Sequence, residues 1–190
     1  MQPPKADTTR MPRWLAIALV SLAGLLLEVG YTRIVSYKLW YYYTYLVIGL
    51  ALLGIGSGGV FVAISARLRS WSTERVLAVC SVWGAVSVAA GYALIAWLPI
   101  DTVKIWDYGT RSSVYNLVNL GLIAFLLFAT FIAIGIIIAT LLGRAGDDVG
   151  RLYFADLVGA GLACLVAIPL ISRLGPPSVI ALAALIFALV

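Results

Sequence analysis

From residue 114 to residue 142 the chain reads VYNLVNLGLIAFLLFATFIAIGIIIATLL, without one charged residue. In lipid such a stretch can satisfy its backbone only as a helix, which closes its hydrogen bonds internally, and ~20 apolar residues already cross the ~30 Å hydrocarbon core. Its surplus length fits a tilted span. The rest of the chain is similar in character: 63% of all residues are hydrophobic and 11% charged, where a soluble domain has roughly half and a quarter. The fold class that follows is all-α, a polytopic transmembrane helix bundle.

Apolar runs separated by charged or proline-bearing connections place spans at about 14–37, 40–65, 76–97, 114–142 and 152–171, five in full, and begin a sixth at 178–190. A helix over 178–190 rises only about 20 Å, so the sixth span is incomplete and the natural chain is expected to continue past Val190. Residues 1–12 are polar, carry Pro3, Pro4 and Pro12, and read as a disordered cytoplasmic tail; 13–190 form one transmembrane helical domain. A basic start before an apolar run also fits a signal peptide. Here the apolar character outlasts an h-region and no Ala-x-Ala site precedes a polar segment, so the first span reads as uncleaved.

Taking alternate connections, Lys5, Arg10, Arg13, Arg67, Arg69, Arg75, Arg144 and Arg151 fall on the N-terminal side and Arg33, Lys38, Lys104, Arg111 and Arg173 on the other. That excess puts the N-terminus in the cytoplasm, and the expected setting is a bacterial inner membrane. Ser72 or Thr73 can cap span three, Pro99 stops it, and Asp148 can cap span five. The connection over 100–113 can lie along the interface as a short amphipathic piece.

Composition also excludes chemistry. The chain has no histidine, and its two cysteines, Cys80 and Cys164, sit in apolar runs without CxxC spacing. Zinc sites, the usual haem ligation and histidine acid–base catalysis lose their commonest residue, and neither cofactor nor metal is predicted. The basic residues are scattered and form no patch for nucleic acid. The glycine ladder from Gly54 to Gly59 is not followed by Gly-Lys-Ser/Thr and lies within a membrane span, so it is no phosphate loop.

Chemistry concentrates instead in residues 25–59, LLLEVGYTRIVSYKLWYYYTYLVIGLALLGIGSGG. An ionisable residue within an apolar span is costly and marks function by default. Glu28 lies about 21 Å beyond Trp14, too deep to reach water easily; Arg33 is near the boundary and can snorkel. Glu28, with Thr32 and Arg33, is either a self-neutralising pair or part of a cation site. Asp156, about one turn into span five, is either stabilised by the helix end or a second carboxylate of such a site. Trp40, Tyr41, Tyr42, Tyr43 and Tyr45 form either an interfacial belt or a cation-binding cage. Gly54 with Gly58, and Gly159 among Ala155, Ala160 and Gly161, make small-residue faces for other membrane helices.

These residues also carry a resemblance. LLLEVGYTRIVSY, then LVIGLALLGIGSGG, then GRLYFADLVGAGLACLVAIPL followed by LGPP, resemble the membrane domain of spermidine synthase-like membrane proteins, over roughly residues 15–190. The resemblance implies a polytopic domain that precedes a soluble aminopropyltransferase-like domain of the Rossmann-type methyltransferase class. That soluble domain is not in this sequence, and neither is any catalytic constellation. The function implied is a non-catalytic membrane module of a spermidine synthase-like protein. It would sit in the lipid bilayer, anchor a C-terminal or separate aminopropyltransferase-like domain, and offer Glu28 and Asp156 to a cationic amine. Two alternatives stand beside it. One is a stand-alone accessory or structural subunit of a larger, energy-transducing membrane complex. The other is a half-transporter acting as a dimer, since six spans with a basic connection after the second resemble half of a major-facilitator-type unit.

Overall fold

The structure, a computed structural model, describes residues 11–101, 103–107 and 109–190. The expected disordered tail, with Lys5 and Arg10, lies outside the described residues but for its last two. The described chain is helical: α1 (Arg13–Leu39), α2 (Thr44–Ile64), the short α3 (Ala66–Ser70), α4 (Thr73–Trp97), α5 (Arg111–Gly143), α6 (Val149–Leu174) and α7 (Pro176–Ala188). Single 3-10 turns at Tyr41–Tyr43, Lys104–Trp106 and Gly146–Asp148 join them. Five of these helices, α1, α2, α4, α5 and α6, are long and apolar enough to cross a membrane, and α7 is a shorter apolar helix. The protein is an integral membrane helix bundle.

Local chemistry sets the ends. Ser72 Oγ accepts from the Arg75 N–H at 3.3 Å and caps α4; Thr110 Oγ1 accepts from the Ser113 N–H at 3.2 Å and caps α5. Asp148 holds the N-cap position of α6, but its side chain accepts no capping bond there. The tight α6–α7 turn is made at Gly175, whose φ of +78° suits a residue without Cβ, and α7 then starts on Pro176 and Pro177, which lose no needed donor there. The α1–α2 hairpin turns on Trp40 at φ +87°, a region that costs a non-glycine residue about 1–3 kcal/mol.

Packing places α1 and α5 at the centre. α5 lies against α2 and α4, α1 against α6 and α7, α4 meets α7, and α1 touches α5. Exchanging α1 with α5, α2 with α6, and α4 with α7 maps these pairings onto one another. An odd number of spans separates the two sets, so the second runs inverted relative to the first.

Two backbone crossings hold the bundle near the face where α1 begins, the N-terminal face. A Cβ at Gly58 would come within 2.6 Å of the Ile132 carbonyl oxygen and 2.7 Å of the Ile136 nitrogen, and one at Gly54 within 2.5 Å of Phe131 Cβ, so α2 and α5 touch through main chain. Gly159 of α6 abuts the backbone of Ala18 in α1 in the same way. The small-residue faces read as docking strips for other helices therefore receive helices of this same chain. Without a hydrophobic drive between helices in lipid, close backbone approach is what associates them, and a segment tethered in the same bundle reaches these strips first.

Charged side chains close the ends. On the N-terminal face the Arg144 guanidinium donates to the carbonyls of Trp71 (2.8 Å), Leu68 (3.0 Å) and Arg69 (3.3 Å) and to Thr73 Oγ1 (3.1 Å), tying the α2–α4 connection to the end of α5. On the far face Lys38 Nζ donates to the Ile95 carbonyl and, at 3.1 Å, to that of Ala96, capping the last turn of α4. Among its described residues the α4–α5 connection holds one 3-10 turn in place of an amphipathic helix, and it folds onto α5, where Asn116 Oδ1 accepts from the Asp101 N–H at 2.9 Å and Ser113 Oγ donates to the Ile105 carbonyl at 2.7 Å.

Candidate functional site

On α1, residues Ser21, Glu28 and Thr32 recur at seven and four positions, a spacing that lines one face of a helix. Ser21 Oγ donates to Asp156 Oδ1, which locks α1 to α6 by a polar contact in a largely apolar seam. Both helices start at the N-terminal face and run parallel. Glu28 therefore lies two turns, about 10 Å, beyond the Ser21–Asp156 contact along the same face. Its side chain is half-buried.

The structure separates Glu28 from Arg33. Among the described residues neither takes part in an ion pair. The reason is geometric: five residues turn a helix by about 140°, so the two side chains leave α1 on different faces. Arg33 is exposed, and Thr32 Oγ1 donates back to the Glu28 carbonyl at 2.6 Å, a bond internal to the helix that leaves the carboxylate unpaired. Asp156 also differs from its reading as a helix-end carboxylate. α6 begins at Val149, so Asp156 stands about two turns inside it, and a serine from the neighbouring helix satisfies one oxygen.

The aromatic group gathers at the far end of α1. Trp40, Tyr41, Tyr42 and Tyr45 are exposed and Tyr43 is half-buried. The Tyr41 and Tyr42 rings lie 3.9 Å apart, tilted by 33°, against each other. None of the five lines the large cleft of the far face, which is bounded by other residues: Arg33, Ser36, Tyr37, Lys38, Tyr92 and Ser172 among them. Gly54 and Gly58 lie in the α2–α5 crossing, and Gly159 lies against Ala18 in the α1–α6 seam, one turn from Asp156. No three His, Cys, Asp or Glu side chains among the described residues are grouped so as to hold a metal.

Sequence reading missed Ser21 and, apart from Arg33, the residues of the cleft. Ser21 had a signal, its seven-residue step to Glu28 on one face. The cleft had none, because four helix ends remote in sequence build it. No family model matches the chain, and comparison with curated proteins and with solved structures returns no match.

Proposed function

We propose that the chain is the non-catalytic membrane module of a spermidine synthase-like protein and that its α1–α6 seam binds a cationic amine. The observation that carries this reading is the unneutralised Glu28: a half-buried carboxylate, deep along an apolar helix, with no cation paired to it among the described residues. A buried charge of this kind needs a partner, and an ammonium group supplies one. Asp156, about 10 Å along the same seam, is placed for a second ammonium, as a di- or polyamine carries. Ser21 holds Asp156 in position.

The experiment is equilibrium binding of labelled spermidine to the protein in phosphatidylcholine nanodiscs. Glu28→Gln is expected to weaken binding about tenfold, the effect of losing one charge-assisted contact, and Asp156→Asn to weaken it less because Ser21 already satisfies one oxygen. Binding unchanged in Glu28→Gln removes the reading.

A second reading, a half-transporter that works as a dimer, is favoured by the pairing pattern of the helices, in which α1–α2–α4 and α5–α6–α7 relate as inverted three-helix sets. Such a pattern supports an analogy, at fold level only, with one half of a major-facilitator-type unit. Reconstituted vesicles separate the two: a transporter accumulates spermidine in the lumen against a gradient, whereas a binding module saturates at its own stoichiometry.

A further inference from the structure

The far face holds a cleft of ≈ 1050 Å³ where the last turns of α1, α4 and α6 meet the turn into α7. Its lining includes the bases Arg33 and Lys38, the hydroxyls of Ser36, Tyr37 and Ser172, and no aspartate or glutamate. Ile34, Ile95 and Ile171 complete an apolar wall.

The two cations differ in what they have left to give. Lys38 is tied to the terminal carbonyls of α4. Arg33 is exposed and in no ion pair among the described residues, so its guanidinium fork is free for a planar or tetrahedral oxyanion. α7 starts at the mouth with Pro176, which turns the positive end of its dipole toward the same space. Because the walls are helix ends, the cleft lies at the boundary between hydrocarbon and water, the depth of phospholipid phosphates.

We infer that this cleft binds a phosphate group, with Arg33 as its principal ligand and Lys38 as a second charge, and that an anionic phospholipid is its source. The isoleucine wall argues for the lipid, since it offers an acyl chain a path beside the bound headgroup. This site is independent of the amine reading: it takes an anion, at other residues, on another part of α1.

The test compares thermal unfolding and lipid retention of the full chain in nanodiscs of phosphatidylcholine alone, phosphatidylcholine with phosphatidylglycerol, and phosphatidylcholine with added inorganic phosphate. Arg33→Gln is the variant, Arg33→Lys its conservative partner, and Arg111→Gln a control that removes an equally exposed cation from the same face outside the cleft. Among the described residues Arg33 has no hydrogen-bond partner, so its replacement is expected to fold. Phosphatidylglycerol should raise the unfolding midpoint of wild type and Arg111→Gln. Arg33→Gln should lose that response, with retention of the lipid down about tenfold, and Arg33→Lys should recover part of it. A response to inorganic phosphate that Arg33→Gln abolishes upholds the phosphate site and gives it a soluble source. Equal losses in Arg33→Gln and Arg111→Gln, or no response to either anion, overturn the inference.

Discussion

Arg144 and Lys38 show what single charges do in this protein. Each donates to carbonyls more than fifty positions away in the chain, Arg144 across the α2–α4 connection and Lys38 at the end of α4. Removing Arg144 takes the charged donor from the half-buried carbonyls of Trp71 and Leu68, the latter keeping only the Trp71 N–H, a loss of about 2–3 kcal/mol when hydrogen bonds to charged groups are involved. Arg144→Gln is expected to shift the denaturant midpoint in detergent by that amount, and Arg144→Lys to recover part, since a single ammonium cannot serve four acceptors as the planar fork does. A shift under about 0.5 kcal/mol, the scale of ordinary surface changes, would show that the contacts carry no load. Sequence alone registers both residues only as interfacial bases that set orientation, because the carbonyls they meet bear no sequence signal. Asp101 makes a milder case: the hydrogen bond from Lys104, with N···O at 3.1 Å, holds its carboxyl below the ordinary aspartate range. A depressed folded-state pKa stabilises above the unfolded value and is lost as pH falls through the folded one. Amide protection over residues 103–107, taken relative to the intrinsic exchange rate at each pH, is therefore expected to hold at neutral pH and to fall only in acid below the ordinary aspartate range, and Asp101→Asn to lack that step.

Helices were legible from the sequence because apolar length decides them; their neighbours were not. α2 is apolar nearly all round, so no stripe marks which side meets protein, and lipid is as apolar as a partner helix. Its glycines announce a close approach without naming the helix that makes it. Structure assigns Gly54 and Gly58 to α5 and leaves Gly56 open, with nothing within 4 Å of where its Cβ would be. The two neighbours should then respond differently to one methyl group. Gly58→Ala forces α2 off the Ile132 and Ile136 backbone and is expected to destabilise by ~1–3 kcal/mol, whereas Gly56→Ala should stay within about 0.5 kcal/mol of wild type. Equal midpoints for both variants in the same detergent titration would mean that the α2–α5 crossing is wrongly placed. The seam shows the same split in legibility. Glu28 stands out as a lone acid in an apolar run, but its separation from Arg33 and the Ser21–Asp156 contact depend on which face of α1 meets α6, and only packing decides that.

At the level of the whole molecule the two faces are unlike. Main-chain crossings and the Arg144 contacts tie the helices near the N-terminal face, which holds a cleft of ≈ 310 Å³, while the far face opens into the larger one of ≈ 1050 Å³ and carries the exposed Trp40, Tyr41, Tyr42 and Tyr45. Asp156 lies nearer the N-terminal face and Glu28 nearer the far one, so on the proposed reading an amine that enters from the far side meets Glu28 first. The expectation from the base count, with more Lys and Arg on the N-terminal connections, is that the N-terminal face meets the cytoplasm and the far side the opposite compartment. Impermeant maleimide labelling of single cysteines, in a Cys80→Ala, Cys164→Ala background, tests both the crossing pattern and its direction. Ser70→Cys and Asp147→Cys stand exposed on the N-terminal face, Lys104→Cys and Ser178→Cys on the far face. The second pair should label on intact cells and the first only after permeabilisation. If Ser70→Cys and Lys104→Cys label from one side, α4 does not cross the membrane and the bundle must be redrawn. A clean reversal of the pairs would keep every helix in place, and the amine would then approach Glu28 from the cytoplasm.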